Sequence, residues 1–147
     1  MIWRRDFTSK RDGVDRAHAC VMHIVKVYRD LDAWQAAMAL AEMVYCVTQA
    51  LPRHELFWLT AQLRRAAVSI PSNIAEGACR RTTGAYVNHV SIALGSHAEV
   101  ETCLEIAMRL GYLQRDETTK VASSIERTGQ LLNGLLRSLE AGVPGRM

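Results

Sequence analysis

The sequence has little of what most catalytic, extracellular or membrane proteins display. Only three prolines occur in 147 residues and aromatic side chains make up 6% of them. No segment reads as strand, turn and strand, so a sheet architecture is not expected. The four cysteines, Cys20, Cys46, Cys79 and Cys103, lie far apart and form no C-x-x-C pair. That argues against a zinc ribbon or a dithiol redox motif and leaves buried free thiols in a reducing compartment as the expectation. No uninterrupted apolar run is long enough to span a bilayer, and the N-terminus MIWRRDFTSKRDGVD is too charged for a signal peptide. A cytoplasmic protein with no membrane association is expected.

Motifs that bind phosphate or organise a nucleophile are also missing. There is no G-x-x-x-x-G-K-S/T, no G-x-S-x-G and no H-E-x-x-H. No Glu is followed by His three positions later, the pattern with which helical bundles hold paired metals. His97 and Glu101 share a helical face, but two ligands do not make a metal site. His89 and His97 are about two turns apart, roughly 12 Å along a helix, too far to act on one ion without a partner helix. Ser69, Ser72 and the cysteines have no base at a motif-like spacing. The expectation is a protein without catalytic residues, metal or cofactor.

What the sequence does contain is apolar periodicity, in a chain that is 49% hydrophobic. A length of 147 residues suits one domain with a sizeable core. Residues 1–28 mix charges with Gly13 and lack periodicity, so they read as a mobile arm, with HIVKVY from His23 as a short extended piece. A natural start at Met22 would make residues 1–21 an extension. The formal charge of +3 belongs to this arm, where six basic residues (Arg4, Arg5, Lys10, Arg11, Arg16, Lys26) outnumber three acidic ones (Asp6, Asp12, Asp15). From Arg29 onward twelve basic and twelve acidic residues cancel. Nucleic-acid affinity in the domain would therefore need a local basic patch, to which the arm adds a nonspecific phosphate contact.

Residues 29–142 divide into four helical segments, with 143–147 a disordered tail. The first starts after Leu31, with Asp32 and Gln35 as a capping-box pair, and buries Trp34, Ala37, Ala41, Val44, Thr48 and Leu51 before Pro52 ends it. The second places Leu56, Leu59, Leu63, Ala66, Ile70 and Ile74 on one stripe and runs to about Ala78. Pro71 interrupts it. Proline lacks the N–H that would reach the Ala67 carbonyl, so the helix is expected to kink near Ile70, with Ser69, Ser72, Asn73 and Glu76 serving the freed backbone groups. Gly77 and Arg80 to Gly84 mark a connection, capped by Thr82 or Thr83. The third segment runs from about Gly84 to Leu110, closes on Gly111 and buries Val87, Val90, Leu94, His97, Leu104 and Met108. Its Gly95, in mid-helix, predicts close approach by another helix, with Trp34 or Trp58 filling the space. The fourth begins near Asp116 and Glu117, whose charges suit the helix dipole, and buries Val121, Ile125, Leu132, Leu135, Leu136 and Leu139 up to Glu140. The fold expected is all-α, an antiparallel up-down-up-down four-helix bundle with its second helix kinked at Pro71.

Three blocks, RDLDAWQAAM from Arg29, QLRRAAVSIPSNIAEG from Gln62 and YVNHVSIALGSHAEVE from Tyr86, resemble the four-helix-bundle proteins encoded in intervening sequences of bacterial large-subunit ribosomal RNA genes. The resemblance spans Arg29 to Glu140, and the middle block is highly specific. It implies a bundle that forms a homo-oligomer, a pentameric ring, with a poorly defined biochemical role. It also implies likeness of fold to accessory proteins of diversity-generating retroelements, which bind nucleic acid and a reverse transcriptase. Ser69, Pro71, Asn73, Glu76, Gly77 and Gly95 form the structural signature. Trp58 replaces a frequent Gly, His89 a usual Phe and His97 a usual Leu, which reads as compensating repacking at conserved volume.

Arg64 and Arg65, with Arg80 and Arg81, supply the strongest basic patch. They suit backbone phosphates of RNA or DNA, or else bridge to Glu76, Glu99 or Glu105. The first expectation is a non-enzymatic oligomeric scaffold that binds RNA, DNA or a ribonucleoprotein through these arginines. The alternative is a self-assembling module that recognises protein and has no nucleic-acid role. Leu40, Met43 and Val47, apolar beside the main stripe of the first helix, argue for self-association in either case.

Overall fold

The computed structural model describes residues 28–142, and the arm and tail expectations fall outside them except for Tyr28. Four helices account for nearly all of this stretch: α1 (Asp32–Val47), α2 (Leu59–Ala78), α3 (Thr83–Arg109) and α4 (Arg115–Ala141). Each packs on its sequence neighbours and α4 closes the bundle against α1, with the α2–α3 pair the most extensive. Cross-links Gln62–Glu99, Ser69–Ser96 and Asn73–His89 climb one helix while descending the other, so the neighbours run antiparallel.

The core lies where the apolar stripes converge. Leu40 and Val44 of α1, Leu63, Ile70 and Ile74 of α2, Val90 and Val100 of α3 and Leu132 of α4 are wholly buried. Each contributes about 1.5–3 kcal/mol through removal from water, which is why amphipathic faces rather than intrinsic propensity hold these helices. Leu40 faces this core, so it is not surplus apolar surface. Met43 is exposed, and Val47 packs partly on the core.

The helix ends follow local chemistry, with several differences from expectation. Asp32 is the first residue of α1 rather than its cap; the cap is Leu31, and the Gln35 amide reaches back to the Arg29 carbonyl at 2.7 Å. After Val47 a 3-10 turn covers Thr48–Ala50 before Pro52, and a second covers Arg53–Glu55. Leu56 thus precedes α2 and stands half exposed instead of joining its stripe. Pro71 sits inside α2 without breaking it. Ser72 bonds the Val68 carbonyl at 2.8 Å and Asn73 the Ser69 carbonyl at 2.9 Å, so neither serves the Ala67 carbonyl that proline leaves free.

Thr82 caps α3 by accepting from the Ala85 amide, and Gly111, at φ 74°, supplies the left-handed residue that ends it. At the start of α4, Gln114 and Glu117 form a reciprocal capping box. Leu135, Leu136 and Leu139, expected in the core, are only partly buried near the end of α4. Cys103 is buried, as expected, but Cys46 and Cys79 are exposed free thiols; Cys20 lies outside the described residues.

Candidate functional site

Small residues let α2 and α3 approach closely, and the seam between them gathers most of the signature positions. A Cβ added to Gly77 would lie 2.4 Å from Tyr86 Cδ2 and 2.9 Å from His89 Cβ. Gly77 is therefore a buried packing position of α2 and not part of a connection. Beside it runs a continuous hydrogen-bond chain. Ser96 donates to the Ser69 hydroxyl at 2.8 Å, and the Asn73 amide donates to that hydroxyl at 3.1 Å. The Asn73 carbonyl oxygen can only accept, so the His89 proton is on Nδ1, which donates to it at 3.0 Å. His89 Nε2 then accepts from Arg80 Nε at 3.2 Å, while Arg80 and Glu76 form an ion pair of 3.6 Å. Glu76 also lies 3.7 Å from His89 Nδ1.

This network answers the question that the polar cluster raises. Ser69 accepts two bonds from neighbouring side chains, and the histidine nearest in the chain of bonds, His89, is spent on Asn73 and Arg80. A base does stand near the serines, which the sequence spacing hid, but it is directed at an amide. Tyr86 completes the seam. Its ring covers Gly77 and its hydroxyl is buried with no partner among the described residues. Burial, and secondarily the nearby Cys79, raise its phenol pKa above 10.0.

On its other flank α3 is tied to α4 by His97. The buried ring donates from Nε2 to the Ile125 carbonyl at 2.8 Å, and Nδ1 is 3.8 Å from Glu101. Gly129 makes room, because a Cβ there would be 3.0 Å from the imidazole. His89 and His97 therefore bond to different helices. Among the described residues no three His, Cys, Asp or Glu side chains come together as a metal site. Trp58 is 75% exposed and lies about 15 residues from Asn73, roughly 22 Å along α2, so it does not compensate for His89. Gly95 differs from expectation as well. Nothing lies within 4 Å of a Cβ placed there, and Trp34 instead packs edge-on against Tyr28 at 5.5 Å.

The four arginines part company. Arg64 donates to Thr48 Oγ1 at 2.9 Å and lies 4.8 Å over the Tyr45 ring, which fastens α2 to the end of α1. Arg65 donates to the Gln62 side-chain oxygen Oε1, and the Gln62 amide nitrogen in turn donates to Glu99. Arg80 serves Glu76 and His89. Arg81 is exposed at the α2–α3 turn and makes no ion pair among the described residues. Glu105, a proposed bridge, takes Arg109 at 2.6 Å.

A second polar group, not foreseen in the sequence, joins the α1–α2 and α3–α4 turns. Tyr112 donates to Glu55 at 3.2 Å, His54 Nε2 lies 3.2 Å from the phenol oxygen, and Glu55 accepts from the Leu59 amide at 3.4 Å. Partial burial, then the Glu55 hydrogen bond and charge, raise the Tyr112 pKa. These partners are 57 and 58 residues apart, and no spacing rule could have paired them. Just beyond, Leu56, Phe57 and Trp58 point outward, Phe57 with 81% of its surface exposed.

With this architecture in view, comparison with known proteins is direct. The family model described as 23S rRNA-intervening sequence protein matches residues 29–134. The chain belongs to that family. No curated protein matches the chain significantly. A solved structure from Bacteroides thetaiotaomicron VPI-5482, described as a protein with unknown function from the S23 ribosomal protein family, is similar with a TM-score of 0.66. It is 22% identical, and the match covers 71% of this chain and 98% of that one. At that identity the likeness speaks for the fold alone. Among the described residues no helix is long and apolar enough to cross a membrane.

Proposed function

We propose that this intervening-sequence family protein is a non-enzymatic, self-assembling helical scaffold whose outer apolar surface holds further copies of the chain. One observation carries the reading: large apolar side chains remain exposed after the bundle has closed. Phe57, Trp58 and Leu56 lie at one turn, while Ile92, Ile106 and Leu110 stand along the outside of α3. Ile92 and Ile106 are fourteen residues apart, close to four helical turns, so they share a face. A lone bundle gains nothing from this surface, whereas association removes it from water. The pentameric ring implied by the sequence resemblance is one assembly compatible with it.

Light scattering at micromolar concentration is the test, and the expected mass is a multiple of 16.4 kDa. A monomer would sink the proposal. A second reading, binding of RNA or DNA, rests on the turn that carries Arg80 and Arg81, since Arg81 has no ion-pair partner among the described residues and Arg80 is half exposed. Arg64 and Arg65 contribute less to this reading because α1 and α2 already engage them. Binding that weakens with salt and is lost in Arg80→Ala/Arg81→Ala, with the assembly intact, supports it. Binding that persists in that variant, or no binding at low salt once co-purifying nucleic acid is removed, overturns it.

A further inference from the structure

A groove of about 440 Å³ lies between α1 and α4, and its floor is apolar, with Ala39, Met43 and Val47 on one wall and Val121 on the other. Glu42, Glu117 and Lys120 stand at its edge, two carboxylates against one ammonium. The way the chain enters α1 points into it. The Gln35 amide donates to the Arg29 carbonyl at 2.7 Å, so the entering chain crosses the flank of the helix that carries Gln35. Gln35, Ala39, Glu42 and Cys46 follow one another at steps of four, three and four, which makes them one exposed stripe of α1. The last three line the groove. The entry of the chain therefore stands at the head of the stripe that leads into it.

We infer that the groove is covered by a segment of the same chain, residues 17–25, which lies back along α1 with its apolar side chains against the groove floor. This segment precedes the described residues, and its sequence, the available length and the charge all select it as the occupant.

The sequence supplies the cover that the floor needs. Between Arg16 and Lys26 stand nine residues, AHACVMHIV, without a single Arg, Lys, Asp or Glu. Val21, Met22, Ile24 and Val25 gain free energy by leaving water, as does the floor they cover.

The length matches the distance. From Asp32 to Cys46 the helix rises about 21 Å at 1.5 Å per residue. The eight steps from Cys20 to Tyr28 span about 26 Å in extended form. Cys20 can therefore come level with Cys46, and the uncharged run covers the stretch of groove that lies between them and the start of α1. A segment tethered by so short a connection is present at a millimolar effective concentration, which a second copy in solution at micromolar concentration does not match.

Charge completes the fit. Arg16 and Lys26 flank the uncharged run, and residues 1–28 carry a net +3, whereas the groove edge has one carboxylate in excess.

Cys46 reports on the cover because it is an exposed thiol in the groove lining, while Cys103 is buried. In the full-length chain carrying Cys20→Ser and Cys79→Ser, a thiol reagent therefore reads Cys46 first. Adding Val21→Asp/Ile24→Asp should speed that modification by about tenfold or more, the scale of unseating two buried apolar side chains. Helicity should stay unchanged, because both substitutions lie outside α1 to α4. An unchanged rate overturns the proposal, and so does protection of Cys46 by a second copy that these substitutions do not relieve. Mild oxidation of the Cys79→Ser chain supplies an independent readout. The expected product is a Cys20–Cys46 disulfide within one chain, identified as a linked peptide by mass spectrometry and running as a monomer on a non-reducing gel. No such peptide, or linkage between copies, overturns the inference. The mass of the native protein bears on self-assembly alone, so the two readings fail separately.

Discussion

The α2–α3 seam and the α1–α2 turn that leads into α2 are built on opposite principles. Along the seam, Ser69, Asn73, Glu76, Arg80, His89 and Ser96 bond to one another, and Gly77 admits the Tyr86 ring. At the turn, Glu55 and Tyr112 hold the backbone in place, yet three large apolar side chains face outward. A polar network whose members are engaged with one another has less to offer a partner, because most new bonds must displace existing ones. Exposed apolar area gains free energy from any cover. Ser69, Pro71, Asn73 and Gly77 of the signature line the inside of the fold, whereas Glu76 and Gly95 are exposed, and the large outward-facing apolar side chains lie elsewhere.

The contrast can be broken most severely at Gly77. Gly77→Ala forces a methyl against Tyr86 and His89, and a loss of about 3 kcal/mol is expected in urea unfolding. A loss below about 0.5 kcal/mol would show that the seam can give way, contrary to the clash that a Cβ at Gly77 would make with the Tyr86 ring.

Asn73→Ala leaves the His89 Nδ1 proton without its acceptor and removes the donor to Ser69. A cost of about 2 kcal/mol is expected, measured the same way. Asn73→Asp should recover part of it by restoring an acceptor for His89.

Gly95→Ala probes the outer surface instead. Nothing crowds that position, so the bundle should gain about 1 kcal/mol from helix propensity. Destabilisation combined with a lower assembly mass would reveal that another copy packs there.

The smallest effect concerns alkali. The phenols of Tyr86 and Tyr112 have folded pKa values raised above 10.0, so folding favours their neutral forms. That contribution is complete below pH 10 and is lost as pH rises through the folded values. Stability should fall above pH 10, and ultraviolet titration should show Tyr86 ionising later than an exposed tyrosine. Early ionisation of Tyr86 in the Tyr112→Phe variant would contradict its burial.

Much of the bundle was legible because helix burial repeats at a fixed period. Ala37, Ala41, Val44, Leu63, Ala66, Ile70, Ile74, Val90, Leu104, Val121, Ile125 and Leu132 occupy the core that their spacing implies. The ends read less well. Leu31, not Asp32, caps α1, and the Gln114–Glu117 box was hidden behind the obvious acidic pair at Asp116 and Glu117. Glycines were the least legible. Gly95, set in mid-helix, promised a close contact and has none, while Gly77 and Gly129 have contacts that spacing did not announce. The need for a missing side chain arises from what approaches, and the approaching Tyr86 and His97 belong to other helices.

By itself the sequence determined four amphipathic helices, their order, the absence of recognisable catalytic motifs and the family, since each is written in periodicity or in a contiguous block. Tertiary structure alone decided which polar groups are already satisfied. It spent Arg64 on Thr48 and Tyr45, closed the SIPSNIAEG cluster through His89 and Ser96, and left Phe57 and Trp58 uncovered. The physical reason is that a hydrogen bond or an exposed ring depends on distances between helices, and those distances are fixed only when every stripe has found the common core.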